Sequence, residues 1–217
     1  MGLLDTILGR TKPVRANLDA LFSLPSAAIT LQTAAGLVPS GRAGVCWKPP
    51  AGQQVADVQR EITELLDIPD DSTAVGTSDD PSSKGTGAGA GKGPAIGTLS
   101  QAEDAYGYRW LLLDDPEVED LVTRVHLVNT SLTESGWGPL LLCSVFGLVP
   151  GADADRDARP LFLVYLYKRG TFYPFAPDGH EHRDSELELR IRAVVGGDLP
   201  VEGDLSRWFP LWDLPVH

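Results

Sequence analysis

The clearest pattern in the chain is the stripe Val118, Leu121, Val122, Val125 and Val128, spaced at three and four residues as on one face of a helix. Asp115 stands where an N-cap is wanted, and Pro116 at the first helical position. Glu117, Glu119 and Asp120 add negative charge to the first turn, so a helix is expected from 116 onward. A second stripe, Val55, Val58, Ile62, Leu65 and Leu66, predicts a helix over 53–66. Residues 140–149 and 161–168 are instead unbroken apolar runs of strand length, the pattern of central strands covered on both faces. Lys168-Arg169-Gly170 then turns the chain into a further strand at 171–175, and 106–113 reads as another. Nearer the start, Leu18, Leu21 and Phe22 form an apolar face that Pro25 is expected to end. Residues 28–37 and 44–48 read as two strands joined through Pro39, Ser40 and Gly41.

Residues 186–193 fit two templates. Strict alternation favours a strand. The Ser185/Glu188 capping box, the i,i+4 pairs Glu186–Arg190 and Glu188–Arg192, and the Gly196-Gly197 stop favour a helix, which is the reading adopted.

Between these patterned regions, 69–98 is dominated by Gly, Ser, Asp and Pro, with only Val75 and Ile96 offering aliphatic bulk. Such a stretch buries too little surface to offset its ordering entropy, and a flexible linker or loop is expected. It divides the chain into an α-β-β-α half at 1–68 and a β-α-β-β-β-α half with an aromatic tail at 99–217. Gly36-Leu37-Val38-Pro39 recurs as Gly147-Leu148-Val149-Pro150. The expected fold is therefore α+β, with antiparallel sheet or sheets and helices in pseudo-duplicated helix–meander–helix units.

Charge narrows the function classes. The formal net charge of -12 opposes non-specific nucleic-acid binding, which needs clustered Lys and Arg. Cys46 and Cys143 lie in the apolar runs GVCW and LLLCSVF and read as buried free thiols, which suits a cytoplasmic chain. No run reaches the length of a membrane span, and the start lacks the n-region and cleavage site of a secretory signal. MGLLDT fits the myristoylation pattern, but the Ala, Gly, Arg and Asp bias is that of a bacterial chain, where acylation at this motif is not expected. The opening stripe Leu3, Leu4, Ile7 and Leu8, followed by Arg10, Lys12 and Arg15, has two readings. It continues the first helix into the core, or it is a peripheral foot on a membrane or partner.

Candidate chemistry is thin. A phosphate loop ending in Gly91-Lys92 would need Gly at position 86 and Ser or Thr at 93, where the chain has Thr86 and Gly93. Asp153, Asp155 and Asp157 echo a calcium loop, yet Ala158 replaces the turn Gly and Val164 the bidentate Glu. His180-Glu181-His182 beside Asp178 resembles a metal cluster but reads as an exposed turn before a helix. No cofactor or metal is expected. The tail carries Trp208, Phe209 and Trp212 among prolines, so it either packs on the sheet or offers a partner contact.

The opening through Gln32 and the runs LLLCSVFGLVP, LFLVYLYKRGTFYPFAP and LPVEGDLSRWFPLW resemble the PspA-associated proteins of the PspAB type, a bacterial family linked to the phage-shock protein PspA. The resemblance covers nearly the whole chain apart from 69–98 and brings no catalytic residues with it. It implies a cytoplasmic accessory factor of the envelope-stress response, acting by protein contact with PspA or a membrane protease, with peripheral contact at the inner face of the membrane. The element order is also similar to the YbjN and secretion-chaperone folds. The expected function is a non-enzymatic adaptor. The alternatives are a chaperone-like peptide-binding module and a hydrolase whose triad is assembled only in space.

Overall fold

The computed structural model describes residues 16–48, 99–152, 154, 159–179 and 181–216. A six-stranded antiparallel sheet forms its centre: β1 (Leu37–Trp47), β2 (Leu99–Glu103), β3 (Arg109–Asp114), β4 (Leu141–Pro150), β5 (Leu161–Leu166) and β6 (Thr171–Phe175). The strand order is β2-β3-β1-β4-β5-β6, so β1 sits between two strands that follow it in the chain. Three helices, α1 (Leu24–Ala35), α2 (Val118–Glu134) and α3 (Ser185–Val195), accompany it. The protein is α+β, and its described strands share one sheet.

Alternation along the strands sorts side chains onto two faces. Val45, Leu111, Leu113, Leu163, Tyr165 and Phe172 face the helices, where they meet Leu31 of α1, Val122 and Val125 of α2, and Ile191 and Val195 of α3. Cys46, Trp110, Cys143, Val145, Val164, Tyr173 and Phe175 face the other way and meet Trp208 and Leu214 of the tail. Both faces are covered, as the unbroken apolar runs of β4 and β5 require.

Several expected elements stand where the pattern put them. β6 spans Thr171–Phe175, and α2 buries Leu121, Val122, Val125 and Val128. Residues 186–193 are helical within α3. The expected helix at 53–66 and the glycine-rich stretch at 69–98 lie outside the described residues.

Other expectations are corrected. Pro25 does not end a helix. It lies in the first turn of α1, where its missing N–H has no partner to lose. Residues 28–35 are helical and not a strand, and α1 stops at Gly36, whose φ of 64° permits the left-handed cap. Pro39, Ser40 and Gly41 do not turn the chain back. Gly41, at φ 77°, lies in a break of register between Pro39 and Ala43 inside the single long β1, and its carbonyl accepts from Asp115 N–H at 2.8 Å.

The N-cap of α2 is Glu117, two residues later than expected; Asp115 accepts from Glu117 N–H at 3.1 Å and pairs with Arg124. At α3 the cap is Asp184, accepting from Leu187 N–H at 2.9 Å. Glu188 makes no capping box. It turns inward to 2% exposure, accepts from Ala176 N–H at 2.9 Å and binds Arg183 through both oxygens. Strand β2 had no counterpart in the hydrophobic pattern, because at the sheet edge its side chains are mostly exposed. The two Gly-Leu-Val-Pro runs lie side by side, with Leu37 opposite Pro150, Val38 opposite Val149 and Pro39 opposite Leu148.

Candidate functional site

The tail after α3 builds the site. Val201 makes a parallel bridge to Phe172 at the β6 edge, with Phe172 N–H donating to Pro200 O and Glu202 N–H to Phe172 O, each at 2.8 Å. From there residues 201–216 cross the outer face of the sheet as a strap. Trp208 stacks on Tyr173 at 5.9 Å and donates from Nε1 to Glu202 O at 3.1 Å. Its carbonyl accepts from Arg183 Nη1 at 2.6 Å, so the Arg183–Glu188 pair ties the strap to α3. Trp212 meets Phe175 edge-on at 5.4 Å. The strap ends against β1, where a Cβ added to Gly44 would come within 2.8 Å of Val216 Cγ2. Gly44 leaves the room that the end of the strap occupies.

A second pinning point is Glu202, 3% exposed. Its carboxylate accepts from Arg169, from Thr171 Oγ1 at 3.1 Å and from Asp204 N–H at 3.1 Å. Burial works to raise its pKa, but the hydrogen bonds from Asp204, Arg169 and Thr171 outweigh burial and hold the carboxyl below its usual range.

Between residues 209–212 of the strap and the 104–108 turn linking β2 to β3 lies a groove of about 510 Å³. Asp104 organises the turn. Its Oδ1 accepts from Tyr106 N–H at 2.9 Å and Tyr108 N–H at 3.0 Å, its Oδ2 accepts from Trp110 Nε1 at 3.1 Å, and Gly107 takes φ 76°. Cys46, Cys143, Trp110 and Tyr173 form the floor, and Tyr106, Tyr108, Phe209 and Trp212 form the walls. Tyr173 is buried, which pushes its phenol pKa up, and it donates to Phe209 O at 2.8 Å. The Lys48 ammonium stands 4.9 Å from the centre of the Tyr108 ring. Asp104 is the one charged residue among the described residues lining the groove, and both its oxygens are occupied.

The sequence-singled residues are dispersed. Trp208 is buried and anchors the strap, Trp212 is half-buried on the groove wall, and Phe209 is 58% exposed at the groove. Leu3, Leu4, Ile7, Leu8, Arg10, Lys12 and Arg15 lie outside the described residues, as do Asp153, Asp155, Asp157, His180 and the 85–93 loop. Asp178 pairs with Arg159, and its N–H donates to His182 O at 2.8 Å. Among the described residues no three His, Cys, Asp or Glu side chains converge as metal ligands, and no helix is long and apolar enough to cross a membrane. Sequence reasoning missed Tyr106, Tyr108 and Trp110. Their signal was the alternation of aromatics around Gly107, but which face they take depends on a register set by β1.

Fold and groove together define an α+β protein with helices on one face of a single antiparallel sheet and a strapped aromatic groove on the other. No curated protein and no solved structure matches the chain. The family PspAB, PspA associated protein B, matches residues 1–216, and the chain belongs to it.

Proposed function

We propose that this chain is an accessory protein of the PspA-linked envelope-stress response that works by protein contact and catalyses no reaction. One observation carries the reading: the groove is walled by aromatic side chains, and its single lining charge is already fully engaged. Such a site favours apolar and aromatic side chains of a partner, at about 25 cal/mol per Å² buried. Neither of the described histidines, His126 and His182, lines it, so among the described residues no imidazole stands as a base beside its hydroxyls and thiols. Family membership points to PspA as the partner, and the net charge of -12 favours a basic contact segment.

The test is retention of PspA on the immobilised full chain. Tyr106 and Phe209 are 56% and 58% exposed, so replacing both by Ala should leave the melting temperature unchanged and weaken retention at least ~10-fold. The reading fails if the full chain retains no PspA, or if the double variant retains it as well as the parent. The same two exposed aromatics favour one alternative, a chaperone-like module holding varied client peptides. Equal competition by unrelated apolar peptides would identify it. Placement at the inner face of the cell membrane, with Leu3, Leu4, Ile7 and Leu8 inserted beside Arg10, Lys12 and Arg15, belongs to the same proposal. It requires flotation with anionic liposomes that deletion of residues 1–15 abolishes.

A further inference from the structure

Strands β1 and β4 are neighbours in the middle of the sheet, and their register sets Cys46 directly opposite Cys143. Both side chains take the outer face and floor the groove. Both thiols are free and buried, and Cys143 is close enough to push the Cys46 thiol pKa up. Directly opposed residues of antiparallel strands have Cα atoms about 4.5–5.5 Å apart, inside the range of about 4.4–6.8 Å that a disulfide spans. Directly opposed Cβ atoms stand about 4.5–5.5 Å apart, and a disulfide needs about 3.5–4.5 Å. Joining the two sulfurs therefore asks for side-chain rotation and a local approach of about 1 Å, next to the register shift between Cys46 and Trp47.

We propose that Cys46 and Cys143 are a reversible dithiol–disulfide pair, oxidised by hydrogen peroxide, a small neutral oxidant that enters through the groove. One sulfur attacks a peroxide oxygen, the O–O bond breaks, a sulfenic acid forms, and the first water leaves with that thiol's proton. The second sulfur attacks the sulfenic sulfur, the S–S bond forms, the S–O bond breaks, and a second water leaves with the second proton. Two thiols lose two electrons in all, and the peroxide is reduced to two waters. A bulky anionic oxidant such as a glutathione disulfide suits this entrance poorly, because the pair lies on the floor between aromatic walls and the lining charge is negative.

The electrostatic surroundings set the rate. Asp104, Tyr106, Tyr108 and Tyr173 are the titratable groups that line the groove around the pair, and no Lys, Arg or His does so among the described residues. The neighbouring Cys143, and then burial, hold the Cys46 thiol protonated well above the ordinary thiol range. Oxidation is accordingly slow at neutral pH and quickens as pH rises. The inference rests on the strand register and stands whether or not the groove binds PspA.

The experiment treats the folded full chain with excess hydrogen peroxide, blocks residual thiols, and reads the intact mass and a peptide map under non-reducing conditions. The expected product has lost two hydrogens, contains one peptide pair linked through Cys46 and Cys143, and returns to two free thiols with dithiothreitol. Because the bond closes a loop of about 100 residues, the oxidised form should melt roughly 5–15 °C higher. Cys46→Ser should instead take up oxygen on Cys143 or form dimers between chains. The proposal is overturned if both thiols of the folded parent survive a treatment that oxidises the urea-unfolded chain. Oxygen uptake without a link, or links only between chains, overturns it equally.

Discussion

Trp208→Ala asks whether one indole holds the strap that walls the groove. Trp208 is 5% exposed, stacked on Tyr173 and hydrogen-bonded to Glu202 O. Removing a buried Trp side chain costs about 3–5 kcal/mol through lost burial and the void left behind. Here the lower part of that range applies, about 3–4 kcal/mol, because the strap is an outer layer that can settle partly into the gap and Glu202 O regains water. For a chain of this size each kcal/mol moves the melting temperature by about 2–4 °C, so the fall should be roughly 6–16 °C. If docking of the strap is worth less than the indole, the strap instead detaches locally and the global loss is capped. A second readout covers that case. With the strap lifted, Cys46 and Cys143 are uncovered, and their reaction with a thiol-specific chromogenic reagent under native conditions should accelerate at least ~10-fold. Urea unfolding and thiol kinetics on the same preparation decide the matter. A loss below about 1 kcal/mol together with parental thiol rates would refute the claim that Trp208 anchors the strap.

Gly41→Ala should cost about 1–2 kcal/mol in urea unfolding, because φ 77° is unfavourable for Ala and the new Cβ meets Asp115 O at 3.0 Å. Gly147→Ala should cost less, since its closest clash is Ser40 Oγ, which can rotate away, and an equal cost would contradict this account of the bulge. The Glu202 carboxyl is held below its usual range, so its stabilisation is present above about pH 4.5 and is lost as pH falls through its lowered native value. Glu202→Gln should flatten that part of the stability–pH curve and cost roughly 1–2 kcal/mol at neutral pH, the half-exposed Arg169 partner limiting the effect. Asn129, fully buried on α2, donates from Nδ2 to Ser144 Oγ at 2.9 Å. Asn129→Ala and Ser144→Ala should each cost about 1–3 kcal/mol, and the double variant about 1 kcal/mol less than their sum by double-mutant cycle.

Much of the fold was legible because the relevant signals are local. The stripe of α2 and the apolar runs of β4 and β5 each declare their element within a dozen residues. The errors arose where one residue type serves two purposes. Pro25 ends helices in their interiors but suits their first turns, and Gly41 signals a hairpin or a bulge until the partner strand is known. Glu188 matched the spacing of a capping box, yet the partly buried Arg183 competed for it more strongly than the helix end. The groove was the least legible part. Cys46, Trp110, Cys143 and Tyr173 come from four strands and are neighbours only because of register, which no local pattern encodes. The tail was read as packing on the sheet or offering a partner contact; Trp208 packs, and Phe209 is exposed.

The placement of β1 has a consequence for biogenesis. It leaves the ribosome before either of the strands that flank it, and β4, on one side, is complete only at Pro150. Until β3 is complete at Asp114 both hydrogen-bonding edges of this sheet-forming segment lack their strand partners, and until β4 follows one edge still does. Cellular yield of this protein should therefore depend on elongation rate and on holdase supply more than its folded stability suggests.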